Sequence, residues 1–272
     1  MLTKLFKYDW KAFWKVPATI NLALLLITGV GIISLVSPFW TLDSDIIDAL
    51  MVVAILFYYI SIFAGSMAVS VYIAIRFYKS IYTDEGYLTN TLPVTAHQII
   101  LSKTFVGVAW TFITGIVVMV SILSLLLTAV LAYGDASALH DFMYYYREFS
   151  DLLLKEMGTS AGTLIFFMII SMITGTFFSL FMIYSSISLG QLFTRHKVAG
   201  AVIWYIAEYA VLQIASSLLV NVPLTYLIGS DQLMAGDIFN PVMWGYILVT
   251  ILLSIGLYFI SVYMLKRKLN LD

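Results

Sequence analysis

Long uncharged stretches alternate with short charged ones along this chain. Residues 16–42, 49–75, 104–134, 157–194 and 238–265 contain no Asp, Glu, Lys or Arg, and 198–230 contains only Glu208. Each stretch is continuously apolar rather than alternating, which argues for helices and against barrel strands. A bilayer crossing needs about 20 predominantly apolar residues, so each stretch holds one helix and none has room for two plus a turn. The pattern predicts an all-α polytopic membrane protein with six transmembrane helices at about 17–38, 49–75, 104–132, 161–190, 199–222 and 241–265. Residues 1–272 form a single transmembrane domain in this reading. The first apolar stretch is long for a signal sequence and no A-x-A site follows it, so it is expected to remain as a span.

The polar segments predict the rest of the architecture. In residues 1–15, MLTKLFKYDWKAFWK, the side chains of Lys4, Lys7, Lys11 and Lys15 fall within roughly 80° of each other at 100° per residue. Leu2, Leu5, Phe6, Trp10, Phe13 and Trp14 cover much of the remainder, as in a basic amphipathic helix lying in the membrane interface. Asp9 falls among the apolar side chains and calls for a partner. Pro17 turns the chain into the first span. The 76–103 loop has room for a short helix and a turn. Thr83 or Asp84 suits its start, Asp84 and Glu85 favour its positive end, and Pro93 stops it. Thr95 and Gln98 then match a capping box for the next helix. The longer 134–160 loop carries Phe142-Met-Tyr-Tyr-Tyr-Arg-Glu-Phe149, which suits a helix lying at an interface. Residues 223–240, with Pro223, Gly229, Gly236 and Pro241 bracketing, suit a short re-entrant or interfacial turn.

Charge placement gives an orientation. Of 14 Lys and Arg, 12 fall on the side holding both termini, the 76–103 loop and the 191–198 loop, while Arg147 and Lys155 fall on the other. The positive-inside rule makes both termini and the 76–103 loop cytoplasmic, and 134–160 an outer loop. Composition agrees with a membrane protein: 62% of residues are apolar and 11% charged, against about 25% charged in soluble domains. That balance excludes an ordinary soluble enzyme and a basic nucleic-acid-binding module.

Candidate chemistry is sparse. The chain has no cysteine and three histidines, so neither a thiolate site nor a zinc cluster at motif spacing is present. No P-loop signature occurs. Gly158-Thr-Ser-Ala-Gly162 matches G-x-S-x-G, and His140 lies on the same side. A hydrolase elbow needs a strand before the serine, whereas here the motif opens a span, where Thr159 or Ser160 suits a helix cap. Glu208 is the ionisable residue inside a span. It lies roughly 15 Å along the helix from the basic end, near the bilayer middle. An acid at that depth belongs against protein or water, either as a polar site in a translocation path or as a hydrogen-bonded packing group. Gln213, Ser216 and Ser217 add polarity to the same helix. Ser171, Gly175 and Ser179, and likewise Ser66, Ser70 and Ala74, form small-residue rows that allow close helix packing.

Lys4-Leu-Phe-Lys-Tyr-Asp-Trp-Lys11, Asp84-Glu-Gly-Tyr-Leu-Thr-Asn-Thr-Leu-Pro-Val94 and Ser102-Lys103 resemble segments of small permeases of Gram-positive bacteria. With six spans and both ends inside, the chain resembles the permease subunit of ABC-2 type transporters. The resemblance implies residence in the bacterial cytoplasmic membrane and export of a hydrophobic, peptide, lipid or drug-like substrate. It implies no cofactor in this chain, with ATP and Mg held by a separate cytosolic ABC ATPase, and a second permease subunit, identical or paralogous. It also implies that Asp84, Glu85, Tyr87, Leu88 and Leu92 lie in a coupling helix that docks on the ATPase, with no catalytic or metal-binding residue. An intramembrane serine hydrolase and an ATP-independent scaffold or sensor are the alternatives left open.

Overall fold

A computed structural model describes residues 2–37, 45–91, 93–133, 138–228 and 235–267. Most of these residues are helical, with no strand among them. The helices are α1 (Leu2–Phe13), α2 (Lys15–Val36), α3 (Asp45–Tyr82), α4 (Asp84–Thr91), α5 (Ala96–Tyr133), α6 (Ala138–Met157), α7 (Ala161–Gly190), α8 (Lys197–Ile228) and α9 (Ala235–Arg267). Six of them, α2, α3, α5, α7, α8 and α9, are long and apolar enough to cross a membrane. Their surfaces support that reading. Val53, Phe57 and Phe63 of α3 are 61%, 65% and 70% exposed, an apolar display that a water-soluble monomer does not sustain. The chain is a multi-pass membrane protein.

The helices overshoot the spans read from charge-free windows. Arg76–Tyr82 and Ala96–Lys103 add roughly 10 Å of helix each to α3 and α5 at 1.5 Å per residue. Residues 223–228 and 235–240, expected within a turn, are helical, and 229–234 lie outside the described residues. Pro223 lies within α8 and Pro241 within α9. A membrane helix tolerates such prolines because neighbours and local adjustment satisfy the freed carbonyls, so proline alone did not mark an end.

The chain packs as two compact units. The first comprises residues 1–76 and 105–141. Here α1 continues almost straight into α2: Trp14 N–H donates to Trp10 O at 3.1 Å, and Ala18 N–H to Trp14 O at 3.0 Å. Pro17 sits in the first turn of α2, where its ring suits the helical backbone and its missing N–H omits one bond from the ladder. Lys4, Lys7, Lys11 and Lys15 are exposed together. The opposite face is not left to lipid. Phe13 is buried against Tyr72, at 4.9 Å between ring centroids, and Trp10 stacks on Trp110 at 5.3 Å. Asn21, buried within α2, donates to Thr114 Oγ1 of α5 at 3.2 Å. Gly65 of α3 is the close-approach position, since a Cβ there meets the Leu24 side chain at 2.8 Å. In the neighbouring row Ser70 is exposed, while Ser66 and Ala74 are partly buried.

The second unit comprises residues 77–104 and 142–272. Its centre is α7, which packs against both α8 and α9. Helix α6 ends at Gly158, whose φ of 59° is the left-handed conformation that glycine adopts without strain. Thr159 then donates to Asn240 Oδ1 at 2.8 Å, and Ser160 accepts from Thr163 N–H at 3.2 Å to cap α7. The G-x-S-x-G stretch thus joins two helices. Tyr144, Tyr145 and Tyr146 are exposed along α6, while Leu153 is buried. Gly175 has nothing within 4 Å of a built Cβ, and Ser179 is exposed. That row therefore does not form a close seam in this unit.

Candidate coupling site

Helix α4 stands between the end of α3 from Phe77 on and the start of α5 up to Thr104, all within the second unit. Its entry is fixed by backbone geometry. Gly86 N–H donates to Thr83 O at 2.7 Å, and any Cβ on Gly86 would collide with the Ile81 carbonyl. Only glycine fits this turn. The Thr83 hydroxyl donates back to Lys79 O at 2.6 Å and closes α3. Asp84 and Glu85 occupy the first turn of α4 and are exposed, where the helix dipole favours negative charge. Tyr87 is 64% exposed. Leu88 lies within α4, and Leu92 lies outside the described residues. At the exit, Gln98 N–H donates to Thr95 Oγ1 at 3.3 Å and Thr95 N–H donates to Gln98 Oε1 at 3.2 Å. This is the reciprocal capping box.

The base of α4 is fastened to α7. Tyr82 is 4% exposed and its hydroxyl donates to Ser188 Oγ at 2.9 Å. Phe77 stacks on Tyr184 at 3.9 Å with the rings 10° from parallel, and Tyr184 donates to Lys103 O at 3.1 Å. Both ends of the 77–104 segment are thereby tied to one stretch of α7. A second tie joins α5 to α9, with His97 Nδ1 2.7 Å from Tyr258 Oη. Phe77, Tyr184 and Ser188 carry no mark in the sequence that sets them apart. Tyr184 and Ser188 fall in an unbroken apolar window, where nothing local separates a polar group facing lipid from one facing a neighbour, and Phe77 is one aromatic among several in its segment.

The membrane polar site divides. Both carboxylate oxygens of Glu208 are shielded from solvent and lack a hydrogen-bond partner, as does Trp204 Nε1 one turn earlier. Ser185 of α7 lies beside Glu208, but the Ser185 hydroxyl bonds Phe181 O at 2.7 Å and Met182 O at 3.2 Å. Gln213 is exposed and donates to Tyr209 Oη at 2.7 Å. Five residues at 100° each put Glu208 and Gln213 on different faces of α8, and they do not form one site. In the first unit, a groove of about 270 Å³ opens between α2, α3 and α5, lined by Gly31, Ile55, Tyr58, Ile122 and Leu125. The Tyr58 hydroxyl is buried without a partner.

No group of three or more His, Cys, Asp or Glu among the described residues is arranged to hold a metal ion. No family model, curated protein or solved structure matches the chain.

Proposed function

We propose that this chain is the transmembrane permease subunit of an ATP-driven ABC-2 type exporter. It works in a bacterial cytoplasmic membrane, with both termini and α4 facing the cytoplasm. The observation that carries this reading is the double attachment of the 77–104 segment to α7 beneath an exposed α4. A membrane-surface connector needs no such fastening. A helix that transmits force does, because a push on a loosely held helix is lost in local motion.

The mechanism follows from the attachments. Cytosolic ATPase subunits hold ATP and Mg and receive α4 in a groove, with Tyr87 as the apolar anchor and Asp84 and Glu85 meeting basic residues. Movement of the ATPase shifts α4. The Tyr82–Ser188 bond and the Phe77–Tyr184 stack pass the shift to α7, and through it to α8 and α9, which pack on it. Glu208 offers a polar point at membrane depth. The apolar groove between α2, α3 and α5 suits a hydrophobic substrate. A second permease subunit completes the path against exposed spans such as α3. The test is recovery of the chain from its native membrane in complex with a P-loop ATPase whose hydrolysis depends on the permease.

A further inference from the structure

Beside the α7–α8 turn lies an open basic pocket that the coupling scheme does not use. It has a volume of about 450 Å³ and is lined by Tyr78, Arg195, His196, Lys197 and the first residues of α8. Two glycines allow close packing within the turn itself. A Cβ on Gly190 would sit 2.6 Å from Ala201 N, and one on Gly200 would sit 2.5 Å from the Phe193 ring. Turn bonds from Phe193 N–H to Gly190 O at 3.2 Å and from Gly200 N–H to His196 O at 2.9 Å close the frame. The backbone of the turn that carries Arg195 and His196 is thus braced at both ends. The pocket's charge is positive, and the start of α8 adds outward N–H groups.

Its surroundings indicate the kind of anion. Leu192, Val198 and Val202 are 50%, 65% and 55% exposed beside the basic groups. A free phosphate gains nothing from those apolar side chains. An anionic phospholipid gains from both, with its phosphate among Arg195, His196 and the α8 N–H groups and its chains along Val198 and Val202. Basic pockets at the ends of spanning helices recognise lipid headgroups in this way. We infer that the 194–199 turn is a binding site for an anionic phospholipid, seated by its phosphate in the pocket and by its acyl chains on the face of α8. The site stands apart from the transport reading and holds whether or not an ATPase binds. An occupant touches Tyr78, whose ring lies 6.3 Å from that of Tyr82, the residue tied to Ser188.

The experiment is native mass spectrometry of the full-length chain titrated with phosphatidylglycerol or phosphatidylcholine, with inorganic phosphate as competitor. The wild type should retain phosphatidylglycerol about tenfold better than phosphatidylcholine. Arg195→Gln should cut that preference about fivefold with an unchanged melting temperature, because Arg195 is exposed. Lys11→Gln, a basic position elsewhere, should leave it intact. Equal retention of the two lipids overturns the proposal, and so does an equal loss in Lys11→Gln, which would mark diffuse charge attraction. Displacement of the lipid by millimolar inorganic phosphate, with Val198→Ser having no effect, assigns a free-anion site and overturns the lipid assignment. If instead Arg195→Gln abolishes ATPase recovery while lipid retention is unselective, the pocket serves a protein partner and the proposal fails.

Discussion

The hydroxyl of Tyr82, at the last residue of α3, donates to Ser188 Oγ in the final turn of α7 at 2.9 Å. The contact is buried and links residues 106 positions apart. It fastens the root of α4 to the helix on which α8 and α9 pack. Ser188 in turn donates to Tyr184 O at 2.6 Å, so Tyr82→Phe removes one bond without leaving a hydroxyl proton stranded. A net hydrogen bond is worth about 1 kcal/mol, which lowers the melting temperature by roughly 2–4 °C in a chain of this size. ATPase binding should be unchanged and transport per ATP hydrolysed should fall. Transport and hydrolysis reduced in proportion would remove the linkage role.

Two kinds of glycine are distinguished by the space around them. Gly190→Ala places a Cβ against the backbone of Ala201 and should destabilise the chain by about 1–3 kcal/mol. Gly175→Ala has open space within 4 Å and sits inside α7, so it should stabilise by about 0.5–1 kcal/mol. Thermal melts of both variants in one detergent check the order. If Gly175→Ala disrupts association while the fold persists, the Ser171–Ser179 row is a seam between subunits.

Much of the fold was legible in the sequence, and the reason is physical. Spans are long and lipid punishes charge, so gaps between charged residues located six helices. The Thr95–Gln98 box and the Ser160 cap were also legible, because capping is local. Helix ends were not. Arg76, Lys79 and Lys103 are tolerated in helices that leave the hydrocarbon, so charge-free windows understate length. The apolar face of α1 looked committed to lipid, yet Phe13 and Trp10 pack on Tyr72 and Trp110, since an aromatic face suits either. Asn21 carried a signal, as a lone amide in an apolar span, but Thr114 did not.

Orientation has a direct check. Cysteine introduced at Glu148 of α6 should react with a membrane-impermeant maleimide on intact cells. Cysteine at Thr194, in the exposed α7–α8 turn, should react only after permeabilisation. The reverse pattern contradicts the placement of α4 in the cytoplasm.

Glu208 keeps an unpartnered carboxylate at membrane depth, where an ionised acid is costly by about 2.5 kcal/mol or more. Stability alone does not favour it. Glu208→Gln keeps the shape and removes the charge, so the variant should melt at the same or a higher temperature while transport falls about tenfold. Unchanged transport would make Glu208 a packing group and leave the path elsewhere.

The central claim is that α4 couples this chain to an ATPase. The most direct measurement is the affinity of the purified chain for the P-loop ATPase that accompanies it from its native membrane, compared with that of Tyr87→Ala. Truncating an aromatic anchor costs about 2 kcal/mol, roughly thirtyfold in Kd. Because Tyr87 is exposed, the variant should fold and melt as the wild type does. The account predicts a stoichiometric ATPase with the wild type and a thirtyfold weaker complex with Tyr87→Ala. A wild-type chain that brings no ATP-hydrolysing partner, or an affinity untouched by Tyr87→Ala, contradicts it.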